Sequence, residues 1–263
     1  MAKFAVIIAA AGKSSRFKAK SSPFGSDLQK KPYASLKGRA VWLHSAEKFG
    51  RRDDVSQILL VVSPEDRAEV ERRFAAELAF GRVELIEGGA ERFLSVENAL
   101  NAVSDDVEFV AVHDAARPCV TKSELDRVFS TAVRTGAAIL AAPVVGSLKR
   151  GKKVEREADV FEVPGEKPKE SVAVESSVSR DMLWEAQTPQ VFDKELLKRA
   201  YRERKPDFRP TDDSGLVEAL GVDVAIVEGS RLNIKITSSE DLAIAEKFME
   251  IVAKRDSDLR RLF

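Results

Sequence analysis

The chain has 263 residues, 44% of them hydrophobic, which is enough apolar material for one sizeable core. Its 43 Lys and Arg balance 43 Asp and Glu, so no bulk field favours nucleic acid or a membrane surface, and any anion site must be local. One cysteine and two histidines exclude an intrachain disulfide framework and a Cys- or His-rich metal cluster, a reducing cytoplasm is the expected compartment, and no apolar run approaches the roughly 18 residues that span a bilayer.

In chain order, "FAVIIAA" (4–10) reads as a buried strand that empties into Gly12, Lys13, Ser14, Ser15 and Arg16. The following "KAKSSPFGSDLQK" (18–30), rich in Gly, Ser and Pro, is expected to be a lid. Lys30 and Lys31 precede Pro32, which holds Lys31 extended, and the helical pattern "AVWLHSAEKFG" follows. A strand "VSQILLVVS" leads to a helix over 64–79, opened by Ser63-Pro64-Glu65-Asp66 with proline at the first helical position and acids in the first turn. Strands at "RVELIEG", "EFVAVHDAAR", "GAAILAAPVV" and "VDVAIVEG" alternate with helices over 92–104 and 122–136, and a last helix spans 238–255, capped by Ser238 or Ser239. Continuous apolar strands between amphipathic helices predict an α/β fold, one domain over 1–263 built on a doubly wound, mostly parallel, Rossmann-like sheet. Residues 149–180 break the alternation: they are highly charged, with β-like "VFEV" and "SVAVES" and a Pro164-Gly165 turn. They read as a projecting β-arm, and because a lone two-stranded ribbon is marginal in water, a second subunit is its expected partner.

Ligands of open α/β sheets sit at the carboxyl ends of strands. The Gly12 loop lies at such an end, where its backbone amides can face phosphates, although it is neither a Walker A motif nor a three-glycine dinucleotide fingerprint. In "FVAVHDAARP", Asp114 ends a strand and is followed by two alanines and Arg117. A carboxylate there is costly unless paired with Arg117 or bound to a cation, and it suits Mg²⁺ or another divalent ion. His113 reads as a packing residue.

"AAAGKSSRF", "KKPY", "GGAERFLSV", "VHDAARPC", "APVVGSLKR", "SRDMLWEAQTPQVF", "TDDSGLVEALG" and "VEGSRLNIKITSSEDLAIAE" follow one another along nearly the whole chain. In that order they resemble the 2-C-methyl-D-erythritol 4-phosphate cytidylyltransferase family of the non-mevalonate isoprenoid pathway. The resemblance implies attack of the methylerythritol phosphate oxygen on the α-phosphorus of CTP, with pyrophosphate leaving and Mg²⁺ assisting. It makes Arg16 and Lys31 catalytic. It places CTP on Ala10, Ala11, Gly12, Lys13, Ser14 and Ser15, and its base on Gly88, Gly89, Arg92 and Ser95. It assigns the second substrate to Asp114, Arg117, Ser147, Arg180, Thr188 and Lys235, with Asp114 also the metal ligand, and it makes the arm a homodimer element. Alternatives are a ribitol-5-phosphate or other polyol-phosphate cytidylyltransferase, a UTP-using sugar nucleotidyltransferase, and a nucleotide-binding regulator. The chain departs from the family pattern in its longer 17–30 loop and arm, in Lys31-Pro32 where Lys-Gln is commoner, and in Ala90 where some relatives carry an acid.

Overall fold

The protein is described by a computed structural model over residues 2–14, 17, 28, 30–154 and 171–261. The chain begins with β1 (Phe4–Ala9), a 3₁₀ turn (Lys31–Tyr33), the small ribbon of β2 (Ser35–Leu36) and β3 (Arg39–Ala40), and α1 (Val41–Gly50). There follow β4 (Val55–Val62), α2 (Pro64–Arg73), α3 (Ala75–Gly81), β5 (Val83–Glu87), α4 (Arg92–Asn101), β6 (Phe109–Asp114), α5 (Lys122–Thr135) and β7 (Ala137–Pro143). After β8 (Leu148–Val154) and β9 (Ser171–Val178) come β10 (Trp184–Asp193), α6 (Lys194–Arg202), α7 (Ser214–Glu218), β11 (Ala225–Glu228) and α8 (Ser239–Arg261). The lid expected over 18–30 falls almost wholly outside the described residues, as do "VFEV" and the Pro164-Gly165 turn.

Seven strands form one sheet in the order β11-β7-β10-β6-β1-β4-β5, parallel except for β10, which runs antiparallel to β6. The doubly wound, mostly parallel expectation is borne out. From β1 the chain winds through α1 to β4 and on to β5, then crosses back along α4 to β6 on the other side of β1. The winding therefore reverses between β1 and β6, and their carboxyl ends carry the Gly12 loop and Asp114. A crevice opens at such a reversal because the two connections leave in opposite directions.

The inner strands are largely apolar because both faces are covered: all of β6 is buried, as are the first five residues of β1. Phe4 stacks on Phe129 of α5 at 4.4 Å and on Phe109 at 5.4 Å. Edge position overrides the sequence pattern in β5, where Glu84 and Glu87 face solvent. The helix expected over 64–79 breaks at Phe74, whose backbone leaves the helical region (φ −111°, ψ 23°) so that its ring can meet Trp42 edge-on at 5.4 Å. Burial of an aromatic there outweighs continued helical hydrogen bonding. α8 runs six residues past its expected end at 255; at its start Ser238 and Asp241 cap one another, Asp241 also accepting the Thr237 amide at 2.7 Å. β10 was not anticipated as a strand, since its Thr-Pro-Gln segment reads as a motif.

Residues up to Ala141, together with those from Ala186, form one compact unit and Ala142–Glu185 another. Within the second, β8 and β9 pair antiparallel from Leu148 opposite Val178 to Val154 opposite Ser171, with a register shift at Arg150/Gly151. A Cβ on Gly151 would lie 2.7 Å from Val172 Cγ1, so a larger residue there would displace that exposed valine.

His113 is fully buried, with Nε2 3.1 Å from the Arg117 carbonyl and Nδ1 3.2 Å from the Thr188 hydroxyl. A carbonyl only accepts, so Nε2 carries the proton and Nδ1 accepts from Thr188. Burial lowers its pKa from 6.5 to about 4. Between those values the unfolded chain takes up a proton that the folded one refuses, so stability falls as pH drops through that window, by roughly 3 kcal/mol in all. Urea unfolding at pH 7 and pH 5 is expected to show about 2 kcal/mol of this loss, and His113→Gln to flatten it.

Candidate active site

The cleft begins where β1 ends. Ala10 is held by its amide on the Val61 carbonyl at 2.9 Å, and the chain then turns through Gly12 to Ser14, whose φ of +52° lies in the left-handed region. Ser14 Oγ accepts the Lys31 amide at 3.1 Å, which couples this loop to the Lys31–Tyr33 turn. Across the gap, the Gly88 amide donates to the Val62 carbonyl at 2.7 Å and the Gly89 amide to Ser95 Oγ at 3.1 Å. A Cβ on Gly88 would sit 2.6 Å from Ala11 Cβ and 2.9 Å from Ser95 Oγ, and one on Gly89 2.6 Å from Leu94 Cβ. Glycine at 88 is therefore the condition for the β5–α4 connection to approach the β1 loop, and glycine at 89 the condition for it to lie against the first turn of α4.

The resulting cleft of about 570 Å³ falls within the ~300–1,000 Å³ typical of small-molecule sites. It brings together Ala10, Ala11, Gly12, Lys13 and Ser14 from the first loop, and Lys31 from the turn. Gly88, Gly89, Arg92 and Ser95 form the facing wall, with Asp114 and Lys235 at the floor. Lys30 and Lys31, indistinguishable as a sequence pair, divide here: Lys30 binds Ser63, Glu65 and Asp66, while Lys31 is among the cleft residues.

Asp114 is the electrostatic centre. Its Oδ2 lies 2.7 Å from Lys235 Nζ and 3.6 Å from Arg117 Nε, and its Oδ1 3.7 Å from Arg92 Nε. Burial alone would push its carboxyl up, but the Lys235 ammonium and the Arg92 and Arg117 guanidiniums outweigh it and hold the pKa well below the usual carboxylate range. Each cation has its own support. The Ile236 amide donates to the Ala116 carbonyl at 2.9 Å, setting Lys235 beside Asp114. Arg117 Nη1 donates to the Asn233 carbonyl at 2.7 Å, and Asn233 Nδ2 to the Thr188 carbonyl at 3.0 Å. Arg92 Nη1 meets Asp213 Oδ2 at 2.8 Å, while the Tyr201 hydroxyl donates to Asp213 Oδ1 at 2.6 Å. Asp213, Tyr201 and Asn233 were not singled out from the sequence. Asp213 and Asn233 lie in the quoted "TDDSG" and "LNIKIT" stretches, so the local signal existed without a partner to give it meaning.

Thr188 is buried, its hydroxyl accepting the Asp114 amide at 3.0 Å and donating to His113, so it orients the strand that bears Asp114. Ser15 and Arg16 lie outside the described residues. Ser147 and Arg180 belong to the 142–185 unit, where the Arg180 guanidinium donates to the Val145 carbonyl. Among the described residues no group of three or more His, Cys, Asp or Glu could hold a metal, so Asp114 is a single carboxylate set among cations. Among them, too, no helix is long and apolar enough to cross a membrane.

A wound parallel sheet whose reversal point opens onto a glycine-walled, cation-lined cleft defines a nucleotidyltransferase of Rossmann-like fold. The chain belongs to the 2-C-methyl-D-erythritol 4-phosphate cytidylyltransferase family, whose model matches residues 4–251. A relative of that name from Solibacter usitatus is 38% identical over 256 residues, covering 97% of this chain and 99% of its own. A crystal structure of 4-diphosphocytidyl-2C-methyl-D-erythritol synthase from Anaerococcus prevotii matches with a TM-score of 0.72 at 26% identity, over 95% of this chain and 96% of that one. The cytidylyltransferase structure from Thermus thermophilus matches at 0.67 and 30% identity, over 95% of this chain and all of that one.

Gly88→Ala is expected to overpack the wall at a cost of about 1–3 kcal/mol in stability and to weaken CTP binding. Calorimetric titration with CTP checks this, and wild-type affinity in the variant would remove the wall from the nucleotide site.

Proposed function

We propose that the core cleft holds CTP on the first loop and the paired glycines, and that the residues around Asp114 receive the phosphate of 2-C-methyl-D-erythritol 4-phosphate. The enzyme transfers the cytidylyl group between them. A phosphate oxygen of the acceptor forms a bond to the α-phosphorus, the bond from that phosphorus to the bridging oxygen of the β-phosphate breaks, and pyrophosphate departs with the electron pair. The attacking oxygen is already anionic, so no protein base or nucleophile is needed, and positioning with charge stabilisation must supply the rate.

Lys31 and Arg16 bear on the triphosphate, where charge grows on the equatorial and leaving oxygens; Lys13 and the amides of Gly12, Ser14 and Ser15 add fixed donors. The wall of Gly88 and Gly89 lets backbone groups meet the cytosine edge, with Ala10, Ala11, Arg92 and Ser95 completing the base site. Lys235 and Arg117 gather on the acceptor phosphate, a dianion that calls for several charge-assisted donors, while Thr188 keeps Asp114 in place between them. The single observation that carries this reading is the convergence of Lys31, Arg92 and Lys235, from distant parts of the chain, on one cleft.

Asp114, the cleft's buried carboxylate, would be the residue to stand beside a Mg²⁺ ion carried in with the triphosphate. When bound it would neutralise charge on the departing pyrophosphate. The arm is the proposed homodimer element: Val172 and Val174 are 69% and 64% exposed, an apolar face that a second copy would cover. Through it, Ser147 and Arg180 would complete the acceptor site of the partner. Cys119, the one cysteine, is buried, its thiol pushed up to about 12, in keeping with a reducing cytoplasm.

Pyrophosphate release is expected with CTP and methylerythritol phosphate and not with ribitol phosphate. In the same assay Lys31→Ala should lower kcat by about 100-fold and CTP affinity much less, since its contact strengthens in the transition state. A change confined to KM would exclude that role. If the arm shares sites across a symmetric dimer, mixing inactive Lys31→Ala and Arg180→Ala chains should restore roughly a quarter of wild-type activity; no recovery on chain exchange would place each site in one subunit.

A further inference from the structure

Beside Lys31 stands a charge cluster with no role in the reaction as set out above. Lys30 Nζ lies 2.7 Å from Ser63 Oγ, 2.8 Å from Glu65 Oε1 and 2.8 Å from Asp66 Oδ2. The ammonium donates to Ser63 Oγ and Glu65 Oε1 and pairs as an ion with Asp66 Oδ2. Ser63 occupies the N-cap position of α2, and Glu65 and Asp66 sit in its first turn. The positive end of a helix repels a lone cation, so Lys30 rests there only because two carboxylates intervene. Its side chain is 20% exposed and that of Asp66 7%, which makes this a half-buried contact and not a solvated surface pair.

The same residue governs the backbone of the catalytic turn. The Lys30 carbonyl accepts the Tyr33 amide at 3.0 Å, Lys31 accepts that of Ala34 at 3.1 Å, and Pro32 restricts the segment between them. On one side the turn is tied to the first loop through the Lys31 amide and Ser14 Oγ. On the other the Lys30 side chain is its polar tie to α2. We infer that Lys30 is a positioning residue: its ammonium, clamped by Ser63, Glu65 and Asp66, holds the turn so that Lys31 bears on the triphosphate. The inference rests on the role given to Lys31 above. The clamp is charge-driven on both sides, with Lys30 holding the Glu65 carboxyl down to about 2. It also covers negative charge on Glu65, which lines the cleft and would otherwise face an incoming polyanion.

Steady-state kinetics on the full-length enzyme test it. Lys30→Met is expected to lower kcat about 10- to 100-fold, the scale of a misplaced reacting group, with KM for CTP changed less than about threefold; the melting temperature falls as well, because Asp66 is left buried without its cation. Lys30→Arg should recover most of kcat. Combining Lys30→Met with Glu65→Gln and Asp66→Asn removes the uncovered charge without restoring the tie, so kcat should stay low; full recovery would reduce Lys30 to a neutralising role and overturn the inference. A Lys30→Met enzyme with kcat within about twofold of wild type, beside a crippled Lys31→Ala, would overturn the tie alone, whereas an active Lys31→Ala would remove the reading beneath it. Should Lys30→Met fail to fold, Ser63→Ala and Glu65→Gln loosen the clamp from the other side, and unchanged kcat in both would be equally fatal.

Discussion

The buried carboxylate at the end of β6 is the constraint on which the remainder of the site depends. Asp114 has been taken out of water, and an unpaired charge in that position would cost several kcal/mol. The fold answers by bringing it Lys235, Arg92 and Arg117 from three separate segments. Those cations are thereby fixed before any substrate arrives, each with its own backbone or carboxylate support. Transition-state stabilisation of a phosphoryl-type displacement needs donors that do not have to reorganise as charge moves. Pairing with a buried anion is a direct way to hold them still.

Asp114 is at that point because of the winding of the sheet. Reversal between β1 and β6 leaves their carboxyl ends side by side, one bearing the glycine loop and the other the acid. β10, inserted antiparallel between β6 and β7, then brings Thr188 behind Asp114 and closes the polar chain Asp114–Thr188–His113–Arg117. A strand of opposite direction contributes here through side chains that reach across to its neighbour's terminus.

How much of this could be read from the residues follows physical lines. The inner strands and α5 were legible because apolar runs and amphipathic spacing are local signals; the reciprocal cap between Thr121 and Glu124 that opens α5 was not singled out from the sequence. The break at Phe74 and the half-exposed β5 were not, since both are decided by what lies across the packing interface. In the cleft, Gly88, Gly89, Asp114 and Lys235 were legible through motif order. The division of labour between Lys30 and Lys31 was not: two adjacent lysines look alike until α2 offers one of them three oxygens. Asp213 and Tyr201 likewise needed the third dimension, because Arg92 meets Asp213 from more than 100 positions away and Tyr201 acts through Asp213.

The glycine wall bears on how such a pocket can be blocked for good. Gly88 stands against the Ala11 methyl and the Val62 carbonyl, and Gly89 against Leu94, so each side is closed by backbone or by a stem that cannot step aside. A compound resting on this surface would meet a contact that point mutation has no easy way to reshape. A side chain added at either glycine would collide with Ala11, Ser95 or Leu94, and resistance would have to arise elsewhere in the protein.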